Sequence, residues 1–403
     1  MRVLFGWEFG AGLGHLTRFR PIGDKLIEQG HEVFVALQEL DKASPFLDAT
    51  SGRSKAGYHL LQAPKWNLPT DPRARQVPTE SFADVLKLIG YGEPGALRNR
   101  LTAWEDLIET VQPDVVLGDF APTLGLACRG RRKFICIGNG YTIPPQGRAL
   151  PPIRPWQEAL QQFSLDHEQE LLANLNLVLE ERGEARVEYL ADTLHGDETF
   201  IFTLSLVDPY AKYRSEPTLA PFNLPSNIQP KPFEEREEGR VFLYLPRTHN
   251  NARSAFDGLV KAGVRGEAYF SDMPRKLVEG LSKPGGVVHT EPQDFAELLP
   301  SVRLVVHHGG LSTAVAALMA GTPQMILPWN LEHLVTARAL ETAAEAAIVP
   351  GNKMNKDWIA KGIKTLVNEG KRSRKALEVA STLPKGNPEV GIDLVVGAIL
   401  ASG

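Results

Sequence analysis

Apolar and polar positions along the chain alternate between strand-length runs and helical spacing. Val3 to Trp7 is a short apolar strand, and Glu8 to Gly14 is a loop carrying Gly10, Gly12 and Gly14. From His15 to Gln29 the residues Leu16, Phe19, Ile22, Leu26 and Ile27 recur near helical spacing; Gly30 ends the helix and Glu32 to Leu37 is a second strand. The same alternation predicts strands at Tyr58–Gln62, Val115–Leu117, Phe134–Gly138 and Phe200–Leu206. Between them it predicts helices at Asp41–Ala49, Glu80–Ile89, Ala96–Val111 and Thr123–Arg129, and a long amphipathic one at Trp156–Arg182. The second half repeats the pattern. Strands are expected at Arg240–Leu245, Val264–Phe270 and Val287–His289, and helices at Asp357–Val367, Lys371–Leu383 and Val390–Leu400. Short buried strands alternating with helices predict an α/β protein with parallel sheets.

Proline marks the breaks. The stretches Ala63–Thr79 and Pro209–Pro232 are proline-rich without sustained periodicity, and Pro384 to Pro388 interrupts the last helices. Glu234-Glu235-Arg236-Glu237-Glu238 follows as a charge run expected to be solvated. The chain has 403 residues, long for one core. We therefore expect two domains, 1–232 and 233–403, with a linker over about 209–238. A formal net charge of −4 gives no reason to expect nucleic acid or an anionic membrane as a bulk partner. Two cysteines, Cys128 and Cys136, form neither a disulfide framework nor a zinc motif, and the N-terminus has no signal-peptide architecture. No apolar run is long enough to span a bilayer. The expectation is a cytoplasmic protein for which peripheral membrane contact stays open; its oligomeric state is not readable.

Candidate chemistry concentrates in the stretch Leu304–Ala339. An apolar strand end leads into His307-His308-Gly309-Gly310 and then a helix from Ser312 to Ala320, stopped by Gly321-Thr322-Pro323. A glycine turn that opens into a helix is an anion site, because the first N–H groups are unpaired, the dipole is positive there and glycine allows close approach. Two imidazoles and the hydroxyls of Ser312 and Thr313 add donors. In the first half, Gly10-x-Gly12-x-Gly14 is not a dinucleotide fingerprint. Asp119 stands at the carboxyl end of a buried strand, the edge where open α/β sheets bind ligands. An Asx turn or helix cap is the other reading of Asp119, and a helix cap that of His15.

The order His-x-Gly, Ser/Thr, Gly-x-Pro and an acidic-amide position before an Ala-rich helix resembles the donor signature of family-one nucleotide-sugar glycosyltransferases. These form the UDP-glycosyltransferase superfamily, and the likeness is to its bacterial natural-product branch. Gly14-His15, with Arg18 and Pro21 after it, is similar to the family's catalytic turn, and Leu16-Thr17-Arg18 resembles transferases that glycosylate lipids. The resemblance implies the GT-B fold: two Rossmann-like domains facing across a cleft. The N-terminal domain would bind acceptor and the C-terminal domain the nucleotide-sugar, with a final helix, 388–401, packing back on the first. It further implies that His15 is the general base and that Asp119 fixes its tautomer. Pro292 and Gln293 would meet the donor base. His307, His308, Gly309, Gly310, Ser312 and Thr313 would meet the diphosphate, and Trp329, Asn330, Glu332 and His333 the sugar. His333 stands where the family carries an amide, so the sugar is not readable; Trp329 either walls the sugar or closes the core. The first turn of the second domain departs from the family, leaving Arg247 and Thr248 as candidate phosphate contacts and Asn250 or Asn251 as a helix cap. Tyr141, Trp156 and Phe163 are candidate acceptor-lining residues, with core packing the other reading.

No Asp-x-Asp occurs, and the resemblance implies a transferase without a metal or other cofactor. It would move a hexose-type sugar, with inversion, from a nucleoside diphosphate sugar to a hydroxyl of a small-molecule or lipid acceptor. The alternatives are another GT-B enzyme, lipid-directed or an epimerase, and a non-catalytic nucleotide-sugar-binding relative.

Overall fold

A computed structural model of the chain describes residues 1–10, 14–48, 54–66, 78–222, 224–225, 227–271, 273–279, 281, 286–383 and 387–402. Gly12, most of the proline-rich stretch 63–79 and the start of the break at 384–388 lie outside them. The described chain forms two compact units, Met1–Asn223 with Asn387–Gly403, and Leu224–Gly386.

The first unit holds seven strands: β1 (Arg2–Trp7), β2 (Glu32–Leu37), β3 (Tyr58–Gln62), β4 (Val115–Asp119), β5 (Lys133–Gly138), β6 (Glu198–Phe202) and β7 (Thr218–Leu219). Their order is β3-β2-β1-β4-β5-β6-β7, and every pairing is parallel. The order reverses between β1 and β4, whose ends register Trp7 against Asp119. That reversal opens a crevice at the carboxyl edge, where parallel sheets take ligands. Helix α1 (Gly14–Glu28) enters it, and α2 (Phe82–Leu88), α3 (Pro94–Val111), α4 (Pro122–Cys128) and α5 (Gln162–Glu181) follow. The last helix of the chain, α13 (Pro388–Leu400), belongs to this unit, with Ile392, Val395, Val396 and Ile399 buried in one core with Leu16, Phe19 and Ile22 of α1.

The second unit has six parallel strands: β8 (Arg240–Pro246), β9 (Arg265–Ser271), β10 (Gly286–His289), β11 (Leu304–His307), β12 (Gln324–Ile326) and β13 (Ala347–Ile348). Their order, β10-β9-β8-β11-β12-β13, reverses between β8 and β11. Helices α6 (Ala252–Lys261), α7 (Arg275–Glu279), α8 (Phe295–Ser301), α9 (Leu311–Met319), α10 (Leu331–Ala344), α11 (Lys356–Leu366) and α12 (Gly370–Thr382) complete it.

Four features differ from the sequence reading. The units divide after residue 223, not 232: β7 pairs with β6 and draws the first part of the proline-rich stretch into the first sheet. Arg236 is not solvated; it is 3% exposed and bonded into the second unit. The long helix starts at Gln162, because Glu80 holds the backbone N–H and carboxamide of Gln161 just before it. The region of Asp41 carries two single 3₁₀ turns, Leu40–Lys42 and Ser44–Phe46, the second with proline in its first turn. Among the described residues no helix is long and apolar enough to cross a membrane.

Candidate active site

In the first unit the crevice between β1 and β4 holds His15. Its Nδ1 lies 2.9 Å from Asp119 Oδ1, and Asp119 is fully buried. The Trp7 ring stacks on the imidazole at 5.3 Å between centroids. Gly10, at φ +94°, passes so close that a Cβ there would sit 2.4 Å from His15 Nε2, so that position demands glycine for both conformation and space. Arg18, one turn along α1 from His15, donates from Nε to Asp119 Oδ2 at 2.6 Å and from Nη2 to Oδ1 at 3.0 Å. Burial alone would push the Asp119 carboxyl up. The Arg18 guanidinium, followed by the imidazole, outweighs that and holds it down at about 2. The arrangement is a fixed carboxylate behind an oriented imidazole, which can accept a proton at Nε2.

An aromatic cluster continues from this edge. Phe9 meets Phe120, Trp66 and Tyr91; Phe82 meets Phe120 and Tyr141. Phe120, directly after Asp119, sits at φ 48°, a left-handed conformation that a bulky side chain rarely adopts and that concentrates at functional sites. Of the candidate acceptor-lining residues, Tyr141 joins these rings. Trp156 is 50% exposed, and Phe163 packs edge-on against His167. Glu8 is buried beside the cluster, accepting from Trp66 Nε1 at 2.6 Å and Thr123 N at 2.9 Å, and burial raises its carboxyl.

In the second unit the crevice between β8 and β11 is floored by the turn His308–Gly310, which opens into α9. Gly309 has φ +96°, and a Cβ there would meet the His333 carbonyl and Ile326 at 3.0 Å. Ser312 and Thr313 stand in the first turn of α9, where N–H groups have no intrahelical partner. His307 differs from the phosphate-donor role that the resemblance implied. It is fully buried, its Nδ1 accepts from Gly309 N at 3.1 Å and its Nε2 lies 2.9 Å from Gln324 Oε1. Both ring nitrogens are thus committed, and burial pushes the imidazole down to about 4. His307 therefore shapes the turn rather than facing a ligand.

His308 lies at the turn itself, its ring 4.6 Å from that of His333. The Nδ1 atoms of both are buried without a hydrogen-bond partner among the described residues. Burial, reinforced by His333, His307 and His249, holds His308 well below its ordinary range; burial also lowers His333, against the opposing pull of Glu332. Asn330 caps α10, accepting from His333 N at 2.9 Å, and Trp329 is 41% exposed, so it does not close the core. Glu332 sits in the first turn of α10. Arg247 and Thr248 are exposed on the turn after β8. Asn251 occupies the N-cap of α6 without making the side-chain cap; its Nδ2 lies 3.4 Å from Met354 Sδ. Pro292 and Gln293 stand after β10, where Gln293 Nε2 donates to the Glu291 carbonyl at 3.0 Å.

The fold has known counterparts. A solved spinosyn rhamnosyltransferase matches with a TM-score of 0.66 at 16% identity, over 98% of this chain and 100% of that one. A calicheamicin glycosyltransferase matches with a TM-score of 0.63 at 17% identity, over 99% and 98%. Both carry the two-sheet GT-B architecture of glycosyltransferases, and this chain shares it. Residues 272–390 match the family model of the erythromycin biosynthesis protein CIII-like C-terminal domain. The L-demethylnoviosyl transferase of Streptomyces niveus is 24% identical over 351 residues, 84% of this chain and 83% of that protein. The elloramycin glycosyltransferase of Streptomyces olivaceus is 34% identical over 391 residues, 92% of this chain and 94% of that protein. The chain belongs to the family-one natural-product glycosyltransferases.

Proposed function

We propose that this glycosyltransferase moves a sugar, with inversion and without a metal ion, from a nucleoside diphosphate sugar to a hydroxyl of a small-molecule or lipid acceptor. The observation that carries the reading is the buried contact of His15 Nδ1 with Asp119 Oδ1 at 2.9 Å in the β1/β4 crevice. An alcohol is a weak nucleophile at neutral pH, and this pair can remove its proton as the oxygen attacks. The bond from acceptor oxygen to anomeric carbon forms while the bond from that carbon to the diphosphate oxygen breaks. The proton goes to His15 Nε2, and the electron pair leaves with the nucleoside diphosphate. On the donor side the leaving charge meets the first turn of α9, with the Thr313 and Ser312 hydroxyls and the His308 imidazole. Trp329, Asn330, Glu332 and His333 form the sugar end of the same crevice. A general base serves an external hydroxyl, which supports transfer over epimerisation or plain binding.

Thymidine diphosphate, with which a spinosyn rhamnosyltransferase was solved in complex, is the first probe. Thr313→Val removes one hydroxyl donor to a charged ligand, worth about 1.5–3 kcal/mol, so calorimetry is expected to show affinity reduced about tenfold or more. Unchanged affinity would sink the phosphate-site assignment. Turnover is expected to persist in EDTA, because protein donors take the leaving charge; an absolute requirement for Mg²⁺ would contradict this.

A further inference from the structure

We propose that Arg18 is a positioning residue: it shares the Asp119 carboxylate with His15 and thereby holds the imidazole neutral, with its proton on Nδ1 and its lone pair on Nε2. This rests on the reading of His15 as the base, and it adds a third member that the family resemblance did not supply.

The geometry is a closed triangle. Arg18 Nη2 lies 3.0 Å from Asp119 Oδ1 and 3.0 Å from His15 Nδ1, while Nδ1 lies 2.9 Å from the same Oδ1. Two proton arrangements fit these distances. In one, Nδ1 carries the proton and donates to Asp119, leaving Nε2 able to accept from an acceptor hydroxyl. In the other, Nδ1 accepts from Arg18 and Nε2 carries the proton, so the ring cannot act as a base. The Arg18 Nε bond to Oδ2, at 2.6 Å, favours the first. It completes a two-pronged grip that aims the guanidinium at the carboxylate, and an imidazole N–H that donates to the same ionised carboxylate makes a bond about twice as strong as one between neutral groups. Arg18 therefore goes to Asp119, and so does the imidazole proton.

Charge gives the second half of the argument. With Arg18 present, Asp119 and Arg18 cancel, and a proton added to His15 leaves the trio with net positive charge in a buried site. Without Arg18, the Asp119 charge faces the ring alone and favours imidazolium, which has no lone pair to offer. Among the described residues, the titratable and charged groups around the ring are these. Asp119 faces it from the end of β4 and Arg18 from α1. The Cys136 thiol of β5 feels the Asp119 charge and is raised mainly by burial. Glu8, in the loop after β1, is turned onto Trp66 and Thr123. Lys42 sits over the Trp7 ring at 5.6 Å. Of these, Arg18 is the cation bonded to the carboxylate that the imidazole uses.

The test is nitrogen NMR of the His15 ring in the free, full-length protein, with the signal assigned by its loss in His15→Gln. The wild type is expected to show the Nδ1–H tautomer. In Arg18→Gln the titration midpoint of that signal is expected to rise by about one pH unit or more. Arg18→Lys should recover most of the shift, since it restores the charge without the planar fork. A midpoint in Arg18→Gln that stays put or falls would overturn the proposal, as would a lysine variant no better than glutamine. Should Arg18→Gln fail to fold, Asp119→Asn gives the opposite sign: Arg18 then faces the ring alone and the midpoint drops below that of the wild type, whereas a rise overturns the proposal. These readouts need no substrate. They stand or fall separately from the transfer assay on His15→Ala, which tests the base itself.

Discussion

Replacing His15 by alanine is expected to lower the rate of sugar transfer by roughly 10²–10⁴-fold, the usual contribution of a positioned general base. The fold should survive the change. The ring lies between Trp7 and Gly10, and its removal leaves the two-pronged bond between Arg18 and the buried Asp119 intact. Asp119 thus keeps a partner, and no bare buried charge is created. Affinity for thymidine diphosphate should also survive, because the groups assigned to the nucleotide belong to the other unit. The deficit is expected in kcat more than in KM, since the base acts as the proton leaves and not when the acceptor docks. It should shrink with a nitrophenol acceptor, which can reach the site already ionised and has no proton to lose. A variant that kept wild-type transfer to an aliphatic alcohol would remove His15 from the chemistry. One that lost thymidine diphosphate binding as well would show that the damage had spread beyond the ring.

The sequence made parts of both crevices legible because strand ends and glycine turns announce themselves. Val115 to Leu117 is apolar enough to be a buried parallel strand, so Asp119 falls at its carboxyl end by counting alone. Gly14-His15 between an apolar run and a helical period likewise places His15 at the start of α1. Arg18 was visible in the same motif but not as a partner of Asp119. The clue was its spacing of three from His15, which puts both side chains on one helix face. Inward and outward could not be told at His307, the last residue of a four-residue strand buried on both faces. Its partner Gln324 is 17 positions away, across a helix, and no local pattern links them. The strand β7 was hidden for a related reason: two residues pair with β6 amid prolines that suppress any period. Trp156 and Leu160 fit the spacing of the helix that follows, yet the long-range bonds from Glu80 to Gln161 accompany its start two residues after Leu160.

Arg236 is the sharpest case of charge pattern misleading, and it carries the largest expected effect on stability. Flanked by two glutamates on each side, it reads as solvated, yet its guanidinium is buried and, among the described residues, has no carboxylate as a hydrogen-bond partner. Nη1 donates to the carbonyls of Leu299 and Val302, each at 3.0 Å, and to Thr322 Oγ1 at 2.9 Å; Nη2 donates to the carbonyls of Lys231 at 2.7 Å and Ala320 at 2.5 Å. Several of these acceptors end helices. Leu299 and Val302 close α8, and Ala320 closes α9, so the cation sits at two negative dipole ends and donates to their carbonyls; the Leu299 carbonyl also accepts from Thr322 Oγ1 at 2.6 Å. Burial lowers the guanidinium to about 10, which still leaves it charged at neutral pH. Arg236→Met would fill the space but remove five hydrogen bonds from a charged donor, while Leu299 keeps its bond from Thr322, at an expected cost of about 3–5 kcal/mol to the second unit. Arg236→Lys, with a charge but no fork, should lose less. Hydrogen exchange of amides in that unit is the direct readout, since a chain with two units need not unfold in one step. The same variant separates stability from binding. The acceptors held by Arg236 precede β11 and β12, whereas Gly309 and the first turn of α9 follow β11 at the opposite edge of the sheet. Thymidine diphosphate affinity measured well below the unfolding temperature should therefore match that of the wild type. If it fell in step with the lost protection, the donor crevice would depend on this clamp directly, and the two edges of the sheet would not be separate structural and ligand-binding regions.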